Sequence, residues 1–244
     1  ALARVGLART RALGRDLEGA LVDVDGVLKE APKLAEANSL RGDIMLALNR
    51  FDEAVSAYEA VIAEKPTDVA AHQNLVSVLL RQNKLEAAQA KVTDMRKALG
   101  GHPLAVYLQS YVNVRNGKTT EAYEGIQQVL RSAPDYVPAQ LLAATLQLQR
   151  QDFVQAQENL NKVIGRQPNL LLARRLLVST YVGMREPGRA LEALQPLLKD
   201  RSDDVGLLNL AGQVYAMNGD FTRSEEYFGR ATAADPKNAQ YRTL

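Results

Sequence analysis

Proline recurs at a fixed interval of 34 residues along this chain, and that spacing constrains the fold more than any other feature. Five of the nine prolines share one phase of the interval, namely Pro32, Pro66, Pro134, Pro168 and Pro236. Gly100 and Ser202 fill the two remaining slots. Twelve positions before each slot lies a small residue, in the series Ala20, Ala54, Ala88, Ala122, Ala156, Ala190 and Ser224. Recurrence at such a period indicates tandem structural repeats.

Seven gapless repeats account for residues 1–238, so we predict one continuous array. The predicted repeats are 1–34, 35–68, 69–102, 103–136, 137–170, 171–204 and 205–238, and residues 239–244 are predicted to start a further repeat or form a truncated cap. We expect the chain to be a piece of a longer array. The apolar stripe of Phe221, Phe228 and Ala231 on its last helix would then be bare, which favours end-to-end self-association.

Each repeat reads as two amphipathic helices. Repeat two shows the helical spacing of apolar residues in Phe51, Ala54, Val55, Tyr58, Val61 and Ile62. The turns between the helices carry Asn or Gly, as at Asn49, Asn83, Gly117 and Gly219, and these residues tolerate the left-handed backbone that ends a helix. Proline then prevents the second helix from continuing. We therefore predict an all-α fold of helix-turn-helix repeats.

This pattern resembles the tetratricopeptide repeat (TPR) family, whose repeats have small residues at the eighth and twentieth positions, an aromatic or aliphatic residue at the twenty-fourth and proline near the thirty-second. Repeat two fits with Gly42, Ala54, Tyr58 and Pro66. The departures are Gly100, Ser202 and Pro187, which opens the second helix of repeat six. The resemblance implies a right-handed superhelical solenoid whose first helices line a concave groove. It also implies a protein that binds partners and is not an enzyme.

Two segments imitate catalytic motifs. Residues 21–28 read like the nucleophile loop of a haloacid-dehalogenase phosphatase, but they occupy the columns of the repeat and no alternation of strands and helices follows. Residues 116–120 imitate the end of a phosphate-binding loop, but Val112 stands where that loop requires glycine. His72 and His102 lack partners at metal-ligand spacing. We predict no catalytic residue, no metal site and no cofactor.

The groove that the resemblance implies would be lined by the second, fifth, ninth, twelfth and thirteenth positions of each repeat. Tyr107 and Tyr111 are one helical turn apart, so we expect two stacked phenol rings. The candidate ligand-contacting residues are Gln73, Ser77, Arg81, Tyr107, Tyr111, Arg115, Gln149 and Arg175. Two alternatives stay open, since the tyrosines could pack on the neighbouring first helix and the arginines could form a solvated face.

Charge and hydropathy narrow the classes of partner. The 30 basic and 28 acidic residues nearly balance, without a regular basic column. This argues against a nucleic-acid-binding helical repeat, which is the alternative from another class. No apolar run approaches the roughly 20 residues that span a bilayer, so we predict no membrane insertion. We expect a partner protein or extended peptide in the groove, with polysaccharide as a second candidate ligand.

Short sequence segments resemble the bacterial TPR lipoproteins associated with exosortase sorting and exopolysaccharide production. Among them are residues 134–139, 173–176, 195–198 and 234–236. That resemblance implies the bacterial cell envelope or periplasm as the compartment. A cytoplasmic adaptor is the alternative. The absence of cysteine is compatible with both compartments.

Overall fold

A computed structural model describes residues 1–199 and 204–235, and within these ranges it contains fourteen α-helices and no β-strand. The first eight are α1 (Leu2–Leu13), α2 (Leu17–Glu30), α3 (Ala35–Ala47), α4 (Phe51–Glu64), α5 (Val69–Arg81), α6 (Leu85–Leu99), α7 (Pro103–Arg115) and α8 (Thr119–Ser132). The remaining six are α9 (Val137–Gln149), α10 (Phe153–Arg166), α11 (Leu171–Gly183), α12 (Pro187–Leu198), α13 (Val205–Met217) and α14 (Phe221–Ala234). The all-α prediction is confirmed. Ser202, Pro236 and residues 239–244 lie outside the described residues.

The chain divides into two compact units, Ala1–Ala133 and Pro134–Leu244. In each unit consecutive helices pack as antiparallel pairs, and first helices of successive pairs also touch, as α5 and α7 do in the first unit and α9 and α11 in the second. The core of the second unit is built from buried aliphatic side chains such as Leu160, Val178 and Leu194. None of the described helices combines the length and apolar character needed to cross a bilayer.

The turns within the helix pairs share one backbone feature. Among the described residues, a left-handed φ occurs once in each of the seven turns, at Arg15, Asn49, Asn83, Gly117, Gln151, Arg185 and Gly219. The prediction from Asn and Gly is therefore confirmed, but Arg15, Gln151 and Arg185 adopt the same conformation. A residue other than glycine in the left-handed conformation costs about 1 kcal/mol or more of conformational free energy. The packing of the helix pair thus imposes the turn, whatever residue occupies it.

Small residues lie where paired helices approach most closely. A Cβ atom added at Gly42 would lie 2.6 Å from the ring of Tyr58, and one at Gly212 would lie 2.7 Å from the ring of Phe228. The aromatic ring of the second helix therefore occupies the space that the glycine of the first helix leaves. The alanine column is equally tight, because Ala54 and Ala122 are 0% exposed.

Two sequence features look different once folded. Residues 21–28 lie inside α2, where Asp23 accepts a hydrogen bond from Arg11 at 2.7 Å and Asp25 accepts one from Arg41 at 2.9 Å.

The apolar stripe on α14 is largely covered by its own helix pair, which contradicts the expectation of a bare face. Ala231 is buried and Phe228 is half-buried, so that of the three stripe residues Phe221 alone is exposed, at 67%.

A hydrogen bond that the sequence did not suggest joins successive repeats. Its donor is a polar side chain in the first turn of a first helix, and its acceptor is the carbonyl oxygen of the proline six residues earlier. The pairs are Asn38 with Pro32, His72 with Pro66, Gln140 with Pro134 and Arg174 with Pro168. Where Gly100 replaces proline, the residue six positions later is Val106, which has no donor. The polar residue therefore accompanies the proline.

Candidate interaction surface

The first unit presents six of the eight predicted site residues on two adjacent helices. Gln73, Ser77 and Arg81 lie on α5, and Tyr107, Tyr111 and Arg115 occupy the equivalent positions on α7. Within each helix these residues are four positions apart, so they lie on one face in successive turns. Because α5 and α7 pack directly against each other, the six side chains form two neighbouring rows. We name them the α5–α7 surface.

The two tyrosines form an aromatic pair. Their ring centroids are 6.4 Å apart and the ring planes are inclined by 46°. This is a tilted contact, so the expectation of stacked rings was wrong, although the separation lies within the range in which aromatic pairs attract. Both rings are half-buried. Each ring therefore packs within the protein along part of its surface and offers the rest to a ligand.

Both arginines of the surface contact the preceding repeat. The guanidinium of Arg81 lies 5.1 Å from the ring centroid of Phe51, and Arg115 donates a hydrogen bond to Asn83 Oδ1 at 2.7 Å. They do not form the purely solvated face considered above. Both residues are nonetheless exposed, and an exposed cation–π contact contributes only about 0.5–1 kcal/mol. Either guanidinium retains donors for an incoming carboxylate.

The other two predicted site residues belong to the second unit. Gln149 is exposed at the end of α9. Arg175 on α11 forms an ion pair with Asp204 at 3.0 Å, and Asp204 in turn caps α13 by accepting a hydrogen bond from the backbone of Leu207. Arg175 therefore supports the start of the next helix pair. Neither residue is part of the α5–α7 surface.

Asp43 is a candidate that sequence reasoning missed. It occupies on α3 the position equivalent to Ser77, it is exposed, and it accepts a hydrogen bond from the Tyr58 hydroxyl at 2.7 Å. Asn74 on α5 donates a longer bond to the same carboxylate at 3.4 Å. Burial, followed by this hydrogen bond to a carboxylate, raises the pKa of the Tyr58 phenol. The available signal in the sequence was a polar residue at the ninth position of the repeat. Its hydrogen-bond partner, Tyr58, lies on the other helix of the pair, so the sequence alone did not point to the contact.

Comparison with known proteins agrees with this architecture. A sequence profile of the tetratricopeptide repeat family matches residues 5–69 and 175–239, and a second profile of the family matches residues 45–110. A TPR repeat-containing protein of Pseudomonas aeruginosa is 24% identical over 161 residues, which cover 65% of this chain and 27% of that protein. The chain therefore spans about a quarter of the length of this curated relative.

Solved structures resemble most of the chain in fold. A tetratricopeptide repeat protein from Parabacteroides merdae superposes with a TM-score of 0.73 at 15% identity, over 98% of this chain and 95% of that one. A chain of the APC/C heterotetramer Cut9–Hcn1 gives 0.80 at 13% identity, over 91% of this chain and 44% of that one. YrrB, described as a TPR protein with an unusual peptide-binding site, gives 0.59 at 18% identity, over 77% and 97%.

The matches to family profiles cover more than half of the residues and fall near both ends and in between. They coincide with helix pairs whose first helices begin 34 residues apart, from Ala35 through Val69 and Pro103 onward. Small residues and aromatic rings meet within those pairs as the family pattern requires. The chain belongs to the tetratricopeptide repeat family.

Proposed function

We propose that this protein is a non-catalytic scaffold for protein–protein interaction and that its α5–α7 surface binds an extended segment of a partner protein. The observation that carries the proposal is the half-buried pair of Tyr107 and Tyr111. Tyrosines held in this way lose little conformational entropy on binding and offer both an apolar face and a hydroxyl group. Such residues are enriched among those that dominate binding energies.

The side chains around the tyrosines suggest the chemistry of the partner segment. Arg81 and Arg115 border the rings on one side and suit a carboxylate, whereas Gln73 and Ser77 suit the amides of an extended backbone. Asp43, on the adjacent helix, adds one negative charge. A segment with an apolar side chain between the rings and an acidic side chain toward the arginines would satisfy this arrangement.

The proposal is tested with photo-crosslinking followed by an affinity measurement. A photoreactive phenylalanine analogue placed at Tyr111 should capture the partner, and the same analogue at Val22, an exposed position on α2, should not. For the captured partner, Tyr107→Ala/Tyr111→Ala should lower the affinity by at least about tenfold, because the loss of hot-spot aromatics costs about 2 kcal/mol or more. The variant Tyr107→Phe/Tyr111→Phe keeps the ring packing and therefore measures how much the two hydroxyl groups contribute to the affinity.

Stability must be measured on the same variants. Because the rings are half-buried, the alanine double variant should lose less free energy of unfolding than the about 3–5 kcal/mol typical of one fully buried aromatic residue. A large loss of stability combined with an unchanged affinity would show that the tyrosines serve only internal packing. That result would end the binding proposal.

We propose the bacterial cell envelope as the setting of this interaction, with polysaccharide as a second candidate ligand. The support is the resemblance of residues 134–139 and 173–176 to sequence segments of envelope TPR lipoproteins. Cell fractionation of the native protein, with a cytoplasmic marker as control, tests the setting. Recovery with the cytoplasmic marker would favour a cytoplasmic adaptor.

A further inference from the structure

We propose a second binding site, in a cleft between α6 and α8 above α7, for an extended segment of a partner protein that carries an acidic and a basic side chain a few residues apart. The cleft uses a different face of α7 from Tyr107 and Tyr111. Its inward side chains on that helix are Val106, Ser110 and Asn113, which are displaced around the helix axis from the two tyrosines. The proposal does not depend on the α5–α7 surface.

The cleft consists of two adjoining cavities. One has a volume of about 380 Å³ and is lined by residues that include Gly100, Gly101 and Thr93. The other has a volume of about 360 Å³ and extends along α7 and α8. Both are lined by Arg96, Val106 and Gln128, so they form one continuous depression. Volumes of this size lie within the range of ligand sites in proteins.

The cleft is larger than the equivalent cavity of about 240 Å³ between α4 and α6, where the regular Pro66 and His72 are both present. Repeat three departs from that pattern. Gly100 replaces proline and adopts a φ of 60°, and α6 continues to Leu99. Val106 replaces the polar residue that donates to the proline carbonyl in other repeats, so this junction lacks that side-chain hydrogen bond. Farther along, the Ser110 hydroxyl lies where a side chain at position 125 would be, because that residue is Gly125. At Gly100 and Gly101 the cleft is open, because nothing lies within 4 Å of a Cβ atom added at either residue.

The two ends of the cleft carry opposite charge. Arg96, Lys97 and Arg131 belong to the last turns of α6 and α8, whereas Glu121 and Glu124 belong to the first turns of α8. Within the described part of the chain, Arg96, Arg131 and the two glutamates form no ion pair, although salt bridges are frequent elsewhere on the surface. These side chains are therefore available to a ligand.

The spacing of the charges sets the size of the occupant. Glu121 and Arg131 are separated by ten residues of helix, which corresponds to about 15 Å at about 1.5 Å per residue. An extended peptide covers that distance in about four to five residues at about 3.3 Å each. Between the ends, the amide of Gln128 and the amide nitrogen of Asn113 can pair with a peptide backbone. Gln109 is held by hydrogen bonds to Gln89 and Asn113. A bipolar segment complements the cleft better than a uniformly charged one.

The test is a titration of the isotope-labelled protein followed by NMR. The probes are the acetylated and amidated peptides Asp-Ala-Ala-Ala-Lys and Lys-Ala-Ala-Ala-Asp, because either chain direction fits the charges. At least one should shift the amide signals of Gly100, Gly101 and Gly125. The neutral peptide Asn-Ala-Ala-Ala-Gln and the diacidic peptide Asp-Ala-Ala-Ala-Asp should bind at least tenfold more weakly. Equal binding of either control, or shifts confined to Tyr107 and Tyr111, would overturn the proposal.

Matched variants complete the test. Arg96→Gln/Arg131→Gln should weaken the bipolar peptide at least tenfold. Arg9→Gln/Lys29→Gln removes the same charge at exposed positions on α1 and α2 and should leave the affinity unchanged. The groove variant Tyr107→Ala/Tyr111→Ala should also bind the peptide normally. If the two charge-removing variants behave alike, the binding is nonspecific and the cleft is not the site.

Discussion

The imidazole Nε2 of His72 lies 2.9 Å from the carbonyl oxygen of Pro66, six residues earlier in the chain. Because a carbonyl oxygen only accepts hydrogen bonds, Nε2 carries the proton in this contact. His72 is buried, so the bond satisfies a polar group that water does not reach. This explains a histidine that sequence reasoning left without a role, and it relates His72 to Asn38 and Gln140, which make the same bond.

Replacing His72 with valine should destabilise the protein by about 1–3 kcal/mol, because the carbonyl of Pro66 then loses its donor. His72→Gln should retain most of the stability, since Gln140 makes the equivalent bond to Pro134 at 2.8 Å. Urea denaturation of the two variants measures the difference. Equal stability of the valine and glutamine variants would contradict a role for this hydrogen bond.

Gly42→Ala should be destabilising although alanine favours helices. The added Cβ atom would lie 2.6 Å from the ring of Tyr58, and relieving such overlap in a packed core costs about 1–3 kcal/mol. Gly229→Ala is the matched control, because nothing lies within 4 Å of the added atom there. The control should gain up to about 1 kcal/mol from helix propensity. Thermal melts that rank the two variants in the opposite order would disprove the packing argument.

Ala122→Leu should lower the free energy of unfolding by about 1–3 kcal/mol, because Ala122 is completely buried at a close helix contact. Ala90→Leu places the same side chain at an exposed position of α6 and should change stability by no more than about 0.5 kcal/mol. Asp25→Asn should cost no more than about 1 kcal/mol, since its ion pair with Arg41 is partly exposed. Chemical denaturation measures the free energy of unfolding of all three variants. A larger loss for Asp25→Asn than for Ala122→Leu would mean that the repeat boundaries are misassigned.

Stability should decrease at alkaline pH because of Tyr58. Burial and the hydrogen bond to Asp43 raise the pKa of this phenol above that of an unfolded tyrosine, which is about 10. Above that pH the unfolded state releases a proton that the folded state keeps, so the contribution of Tyr58 is complete below about pH 10 and is lost as pH rises. Tyr58→Phe should reduce the alkaline slope of stability.

Denaturant titrations between neutral pH and pH 11 measure that slope. At neutral pH the phenylalanine variant should lose only about 0.5–1.5 kcal/mol, the usual net value of one hydrogen bond. Tyr136 and Tyr227 also have a raised pKa through burial, so a smaller slope should persist in the variant. An unchanged slope would mean that Tyr58 ionises normally in the folded protein.

The sequence by itself determined the repeat period, the pairing of helices and the small residues between them. These features depend on spacing along a single helix or between the two helices of one pair, and such short-range patterns can be read directly. Even so, the left-handed turns at Arg15, Gln151 and Arg185 were visible only by analogy with Asn49 and Gly117, since their side chains do not favour that backbone.

Only the tertiary structure decided which side chains meet between repeats. Arg115 contacts Asn83 across 32 residues of sequence, Arg175 contacts Asp204, and the rings of Tyr107 and Tyr111 are tilted and not stacked. Every repeat offers similar residues at equivalent positions, so the sequence presents several possible partners for each. The angle and distance at which one helix pair packs on the next select among them, because long side chains contact only what lies within their reach.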